Sequence, residues 1–303
     1  MRTIYLDYNA TTPLDSEVKK VMMAALDEDW GNPSSVHHVG QRARALLDDA
    51  RDRVAATLKC KPSEIIFTSG GSESTNLALF GVARLLRNKG RHIITSQVEH
   101  HAVLHPCEYL ANNEGFEVTF LPVDSVGKVS VESVRKALRP DTILVSIMAA
   151  NNEVGTLQPY AEIGELCSEY SVLFHTDAVQ AAGFLDIDVN GLGVDLMSLS
   201  AHKFHGPRGV GALLVRHGTT LAPLLVGGSQ QYGIRPGTEP VCLALGIRFT
   251  ISPVPMQVAC SVRLGKNCRL LAPVALLRKK PGKLRTIAMP PSGERLPPGL
   301  MPC

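Results

Sequence analysis

The chain has 303 residues, 45% of them hydrophobic, enough to bury one large α/β core with a smaller part beside it. Its formal net charge of +3 gives no reason to expect a nucleic-acid partner. No apolar run reaches the ~18 residues of a membrane-spanning helix, so no membrane partner is expected either.

The average charge conceals a split. Residues 248–303 carry ten Lys/Arg and one Asp/Glu, a net +9, whereas residues 1–247 sum to −6. The same segment holds nine of the 20 prolines, and its apolar residues keep neither a helical nor a strand period. Residues 1–247 therefore read as the folded domain and 248–303 as a basic, Pro-rich, disordered tail. The N-terminus runs straight into Met1-Arg2-Thr3-Ile4-Tyr5-Leu6-Asp7 without a signal or transit peptide. Seven scattered cysteines, with no CxxC pair or metal-ligand spacing, fit reduced thiols in a cytoplasmic protein.

Residues 6–13 form an extended opening segment. Asp15 or Ser16 caps a predicted helix over 17–27, with Val18, Val21, Met22 and Ala25 on one face. Gly31-Asn32-Pro33-Ser34-Ser35 breaks it, reads by itself as punctuation, and starts a longer helix reaching Leu58. A short buried strand over 64–68 runs into Ser69-Gly70-Gly71-Ser72-Glu73-Ser74-Thr75-Asn76 and a helix to Leu86. A glycine turn at a hydroxyl-rich helix start concentrates free N–H groups and the positive dipole end, a weak signal for an anion site. The strand 93–96 ends at Glu99-His100-His101-Ala102-Val103, followed by a helix expected to break near Pro106 and a strand over 118–123.

A helix over 131–138 leads to the apolar run 142–148, a central parallel strand that ends at Ala150-Asn151-Asn152-Glu153. Open α/β sheets place ligands at such strand ends. A helix over 161–170 and a strand over 172–176 deliver Asp177, which by itself is as well read as a cap for a following helix. The strand 194–199 closes with hydroxyls at Ser198-Leu199-Ser200, then His202 and Lys203 stand side by side before a Gly-Pro turn and the strand 210–215. A lone turn lysine ordinarily reaches for water. Removed from water its pKa falls, and a neutral amine can form a Schiff base.

Taken whole, Ser200-x-His202-Lys203-x-x-Gly206-Pro207-x-Gly209 resembles the cofactor-lysine segment of the cysteine desulfurases, pyridoxal 5'-phosphate (PLP) enzymes of the class V aminotransferase family. Gly-Asn-Pro-Ser-Ser at 31–35, the Gly70-Gly71 cup, Glu99-His100-x-Ala-Val, His175-x-Asp177-Ala178-x-Gln180 and Arg235-Pro-Gly-Thr238-Glu239 are similar to further motifs of the family, in the family's order. The resemblance covers residues 1–247 and is nearest to the NifS-like and IscS-like members, with selenocysteine lyase a neighbour. It implies the PLP-dependent transferase fold (fold type I), a mainly parallel doubly wound sheet with helices on both faces. Residues 1–15 would form an arm on the side of the small domain, itself largely missing from the matching span.

The resemblance also implies roles. Lys203 and His100 are the catalytic residues, with Lys203 bound to the cofactor and His100 stacked on its ring. Gly71, Ser72, Ser200 and His202 hold the phosphate, joined by Thr238 from the second subunit of a homodimer. Asp177 pairs with the pyridine nitrogen, Asn152 and Gln180 contact ring substituents, and Asn32 lies on the substrate side. The implied reaction takes sulfur from L-cysteine, leaves alanine and passes a persulfide to an iron–sulfur scaffold or another acceptor. The family's nucleophilic cysteine and carboxylate-binding arginine lie downstream of the matching span, and Cys260, Cys268 and Cys303 lack the flanking residues of that loop. The change of composition at Arg248 is what a truncated or frameshifted reading frame would produce, and with it PLP binding that is weak at best, and cysteine desulfuration at or near background, are expected. The alternatives are a selenocysteine lyase or an inactive PLP-binding chain.

Overall fold

The computed structural model describes residue 5 and residues 7–251. Of the tail expected from 248 onward, residues 252–303, with Cys260, Cys268 and Cys303, lie outside the described residues. A seven-stranded sheet forms the centre, in the order β1 (Ile65–Thr68), β7 (Gly211–Val215), β6 (Leu196–Ser200), β5 (Leu173–Asp177), β4 (Thr142–Ser146), β2 (His92–Ser96), β3 (Glu117–Leu121). The pairings β6–β5, β5–β4, β4–β2 and β2–β3 are parallel, and β7 alone runs antiparallel to both its neighbours. Every other described strand therefore ends at one edge, where Thr68, Ser96, Ser146, Asp177 and Ser200 lie. The site is built on this edge.

Successive residues along each strand serve opposite faces, as the pleat demands. On one face Ile66, Ile93, Leu144 and Leu213 pack with α3 (Gly71–Leu86) and α4 (His101–Asn113) through Leu77, Val82, Val103 and Leu110. On the other, Ile65, Phe67, Ile94, Val145, Phe174 and Leu214 meet α2 (His38–Leu58), α6 (Tyr160–Glu169) and α7 (Val241–Thr250) through Leu47, Val54, Ile163, Leu166 and Ala244. Burial on both faces is what the near-continuous apolar runs predict. The helix α1 (Ser16–Glu28) begins with Asp15 accepting from the N–H groups of Glu17 and Val18, as expected, and α5 (Val131–Ala137) follows β3.

Three expectations need correction. The helix α2 starts at His38, not inside Ser34-Ser35, because Asn32 uses its side-chain oxygen and carbonyl to accept from Ser34 and Ser35 at 2.9 and 3.0 Å. That closes a turn, and His37 becomes the cap. The helix α4 runs on through Pro106, which is buried with Val103, Cys107 and Leu110. One lost backbone hydrogen bond costs less than that apolar face contributes. Finally α7 continues to Thr250, past the boundary expected at 247, with Arg248 paired to Asp49 and Ile251 buried.

Candidate active site

Lys203 ends a short helical turn that follows β6, half-buried, at the common strand edge. Its Nζ donates to the carbonyls of Asn9 and Ala10, the latter at 3.1 Å. The opening segment is fastened there by several bonds. The Thr12 N–H and hydroxyl both donate to the His202 carbonyl at 2.9 Å, His202 Nδ1 and the Thr11 hydroxyl are 3.1 Å apart, and the His205 N–H donates to Thr12 Oγ1 at 2.7 Å. Gln180 Nε2 donates to the same Asn9 carbonyl that Lys203 uses, at 3.0 Å. Burial lowers the Lys203 pKa, opposed by Asp177, Asp7 and Glu153.

Asp177 is 7% exposed at the end of β5. Its Oδ1 accepts from the Val179 N–H at 2.9 Å in a turn, and no helix follows, so it is not a helix cap. Burial pushes its carboxyl up to about 6, against the pull of that N–H and of the Lys203 charge. Two residues back, His175 is fully buried and held down to about 3 by desolvation, hence neutral. Its ring nitrogens bridge Ser146 Oγ at 2.8 Å and Ser198 Oγ at 2.9 Å, and the Thr75 hydroxyl donates to Ser198 Oγ at 3.2 Å. This chain of hydroxyls and one imidazole ties α3 to three strands below Asp177.

The start of α3 is shaped by glycine. Gly70, the N-cap, has φ +153 and offers no side chain to the helix's free N–H groups. A Cβ on Gly71 would stand 2.8 Å from Val179 Cγ2 and 3.5 Å from Ser200 Cβ. A Cβ on Gly211, between Thr68 and Ser200 in the sheet, would stand 2.7 Å from Gly70 Cα. Glycines thus let this turn lie directly on the ends of β6 and β7, with Ser200 and His202 beside it. Glu73 accepts from the Ser69 N–H at 2.7 Å and from Arg235 Nε at 2.7 Å, which anchors the turn from outside.

His100 caps α4, its Nδ1 accepting from the Ala102 N–H at 3.0 Å, which leaves Nε2 for other contacts. The side chain is exposed by surface area, yet enough protein surrounds it that desolvation, then the Lys203 charge, lowers its pKa. Asn152 donates to Glu153 Oε1 at 2.8 Å, and Glu153 is electrostatically coupled to both His100 and Lys203. The structure therefore gathers Gly71, Ser72, His100, Asn152, Asp177, Gln180, Ser200, His202 and Lys203 around one edge of the sheet. Two of the expected residues stand apart. Asn32 is exposed in the turn before α2, and Thr238 is exposed in the loop before α7; among the described residues no hydrogen bond ties either to Lys203. Sequence reasoning missed Asn9 and Glu99. Asn9 works through its carbonyl, which no side-chain pattern reveals; Glu99 was quoted only as the neighbour of His100.

A sequence profile described as aminotransferase class-V matches residues 4–255. The chain belongs to the class-V aminotransferase family. Among relatives of this family member, the chain is 54% identical over 246 residues to "Cysteine desulfurase IscS" of Dictyoglomus turgidum, covering 81% of this chain and 62% of that protein. It is 51% identical over 246 residues to the protein of the same name from Methanosarcina thermophila, covering 81% and 61% respectively. The chain thus spans about three fifths of the length of these relatives. Among solved structures, a "NIFS-LIKE PROTEIN" superposes with a TM-score of 0.80 at 44% identity, over 83% of this chain and 69% of the other. "SspA in complex with cysteine" gives a TM-score of 0.82 at 41% identity, over 86% and 75%. The class-V aminotransferase assignment agrees with the mixed, mostly parallel sheet and its glycine-lined strand edge.

Proposed function

We propose that this chain carries the cofactor-binding part of a PLP-dependent cysteine desulfurase. The observation that carries the reading is the placement of Lys203 and Asp177 at one strand edge: a half-buried amine within electrostatic reach of a buried carboxyl, beside an uncapped helix start. The donor set fits the cofactor group by group. Backbone N–H groups at Gly71 and Ser72, with Ser200 and His202, suit a phosphate; Asp177 suits a pyridinium nitrogen; Lys203 suits an aldehyde. The relatives named cysteine desulfurase, and the structural neighbour described in complex with cysteine, favour L-cysteine over selenocysteine as the substrate.

When bound, PLP supplies a conjugated ring that accepts electron density from the substrate. Asp177 would hold a proton at the ring nitrogen, and the neutral form of Lys203 would take and return the proton at the substrate Cα. His100 would lie against the ring, and Asn152 and Gln180 would orient its substituents. For Lys203 to act, its Nζ must leave the Asn9 and Ala10 carbonyls, so the opening segment sets how free the amine is. In balance, L-cysteine and an enzyme thiol give L-alanine and the enzyme persulfide. Burial pushes the thiols of Cys60, Cys107 and Cys167 up to about 12, so none of these three serves as that nucleophile near neutral pH. Thr238 would act from the second copy of a homodimer, Asn32 on the substrate side, and an iron–sulfur scaffold or another acceptor would take the sulfur.

The test is alanine and sulfide release from L-cysteine by the full chain with PLP and dithiothreitol, using Lys203→Ala as blank. Lys203-dependent release supports the reading. A borohydride-reducible PLP adduct that persists at one stoichiometric site in Lys203→Ala would refute it. An adduct on Lys203 without release would make the chain a PLP-binding protein that does not turn over.

A further inference from the structure

Glu99, at the turn between β2 and α4, is 5% exposed and has no part in the roles above. Its Oε1 accepts from the Ser96 hydroxyl at 2.7 Å and from the Met148 N–H at 2.9 Å. Its Oε2 is buried with no partner among the described residues. Beside it, Asn151 Nδ2 donates to the Val98 carbonyl at 2.9 Å, while Asn151 Oδ1 accepts from the N–H groups of Glu153 and Val154 at 2.9 Å. These bonds join the turn that presents His100 to the loop that presents Asn152 and Glu153.

Two carboxyls are thus buried at one end of the sheet, Glu99 and Asp177, and the Asp177 charge adds to what burial does to Glu99. Their surroundings differ. Asp177 feels the Lys203 charge and accepts a backbone N–H, whereas among the described residues no cation acts on Glu99 and its second oxygen has no partner. The other titratable groups around Glu99 are Cys107 of α4, whose thiol is neutral, and the adjoining His100, which burial and then the Lys203 charge hold toward its neutral form. A buried anion with an unsatisfied oxygen is far costlier than a neutral acid. Where two nearby carboxyls have unlike environments, the proton settles on the one without a countercharge.

We propose that Glu99 is a positioning residue of the site, a neutral carboxylic acid that locks the His100 turn to the Asn152 loop and leaves the charge of the two buried carboxyls on Asp177. Burial, which pushes Glu99 up to about 8 and Asp177 to about 6, places both in those states at neutral pH. Glu99 acts through His100 and Asp177. The inference rests on the reading that this edge holds PLP, but its protonation state can be measured without the cofactor.

The experiment compares the full-length wild type with Glu99→Gln and Glu99→Ala. Gln reproduces the neutral acid in shape, and its carbonyl accepts both existing hydrogen bonds; Ala removes them. PLP affinity is read by absorbance titration from pH 6.5 to 9.5. At pH 7 Glu99→Gln should bind within about two-fold of wild type and Glu99→Ala about ten-fold more weakly, the loss of one well-made hydrogen bond or more. Above pH 8 wild-type affinity should fall relative to Glu99→Gln by about three-fold or more, the size of half a pKa unit of coupling. In the unloaded chain, the urea midpoint of wild type should drop relative to Glu99→Gln between pH 6 and 9. The sign follows from the raised pKa: the folded state holds the proton more tightly, so stability is present at low pH and lost as pH rises toward 8. Gln binding as poorly as Ala, Ala binding as well as wild type, or a wild-type–Gln gap in midpoint that ignores pH would each overturn the proposal. If wild type forms no Lys203-dependent adduct, the PLP reading fails instead, and the urea comparison still decides whether Glu99 is a neutral acid.

Discussion

Replacing Asp177 with Asn should move stability and cofactor affinity in opposite directions. The carboxyl is 7% exposed and burial pushes its pKa from the model-peptide value of 3.8 to about 6. A carboxyl whose pKa rises on folding favours the folded state below its unfolded pKa and loses that contribution as pH rises through the folded one. Holding it ionised at pH 7.5 costs the unloaded chain about 3 kcal/mol, since each pKa unit is ~1.36 kcal/mol. Asn removes that cost while its Oδ1 can still accept from the Val179 N–H, which now sits at 2.9 Å. The buried amide claws back part of the gain, so 3 kcal/mol is an upper value. The unloaded variant should therefore melt above wild type at pH 7.5, and the advantage should shrink by about half at pH 5, where the carboxyl is largely protonated. Cofactor binding should weaken by about 10- to 150-fold, because a charge-assisted partner is worth about 1.5–3 kcal/mol. Scanning fluorimetry at both pH values and an absorbance titration with PLP read the two effects. A variant less stable than wild type at pH 7.5, or one that binds PLP as tightly, would refute the assignment.

Gly71→Ala drives a Cβ to 2.8 Å from Val179 Cγ2, so a loss of about 1–3 kcal/mol in urea denaturation and weaker PLP binding are expected; binding equal to wild type would remove this turn from the site. Gly164→Ala, far from the site, puts a Cβ 1.9 Å from the Leu192 carbonyl oxygen, and overpacking of about 3 kcal/mol should lower Tm by roughly 6–12 °C; a smaller shift would show that this backbone contact yields easily. Lys203→Ala should raise the pKa of His100, because the Lys203 charge depresses it after desolvation does; NMR titration of the imidazole that finds it unmoved would separate the two side chains.

Much of this was legible in the sequence, and the reasons are particular. The apolar runs around Ile66, Ile93, Leu144 and Leu213 announce buried strands because both faces of the sheet are covered, and the polar residues that stop them mark the edge where the site lies. Lys203, Asp177 and His100 stand at those stops. The starts of helices were less legible: Asn32 and His37 compete for the same turn, and only hydrogen bonds to Ser34, Ser35 and Gly40 decide between them. Pro106 misleads for a different reason, since one-dimensional reading sees the missing N–H but not the packing that outweighs it. The part played by Asn9 was out of reach, because a backbone carbonyl carries no mark of its own. Glu99 required knowing that one of its oxygens has no partner.

The fastening of the opening segment to the lysine turn bears on the order in which the molecule assembles. Its bonds join residues 190 to 194 positions apart, such as Thr12 to His202 and Asn9 to Lys203. The strand edge that receives the segment exists only once β5, β6 and β7 are paired, and closing so long a loop costs entropy that little local structure can offset. During synthesis residues 9–13 therefore cannot dock until some two hundred residues after them have been made. The amine is held by the Asn9 and Ala10 carbonyls only once that docking is made, so the restraint on Lys203 depends on contacts that span most of the folded chain.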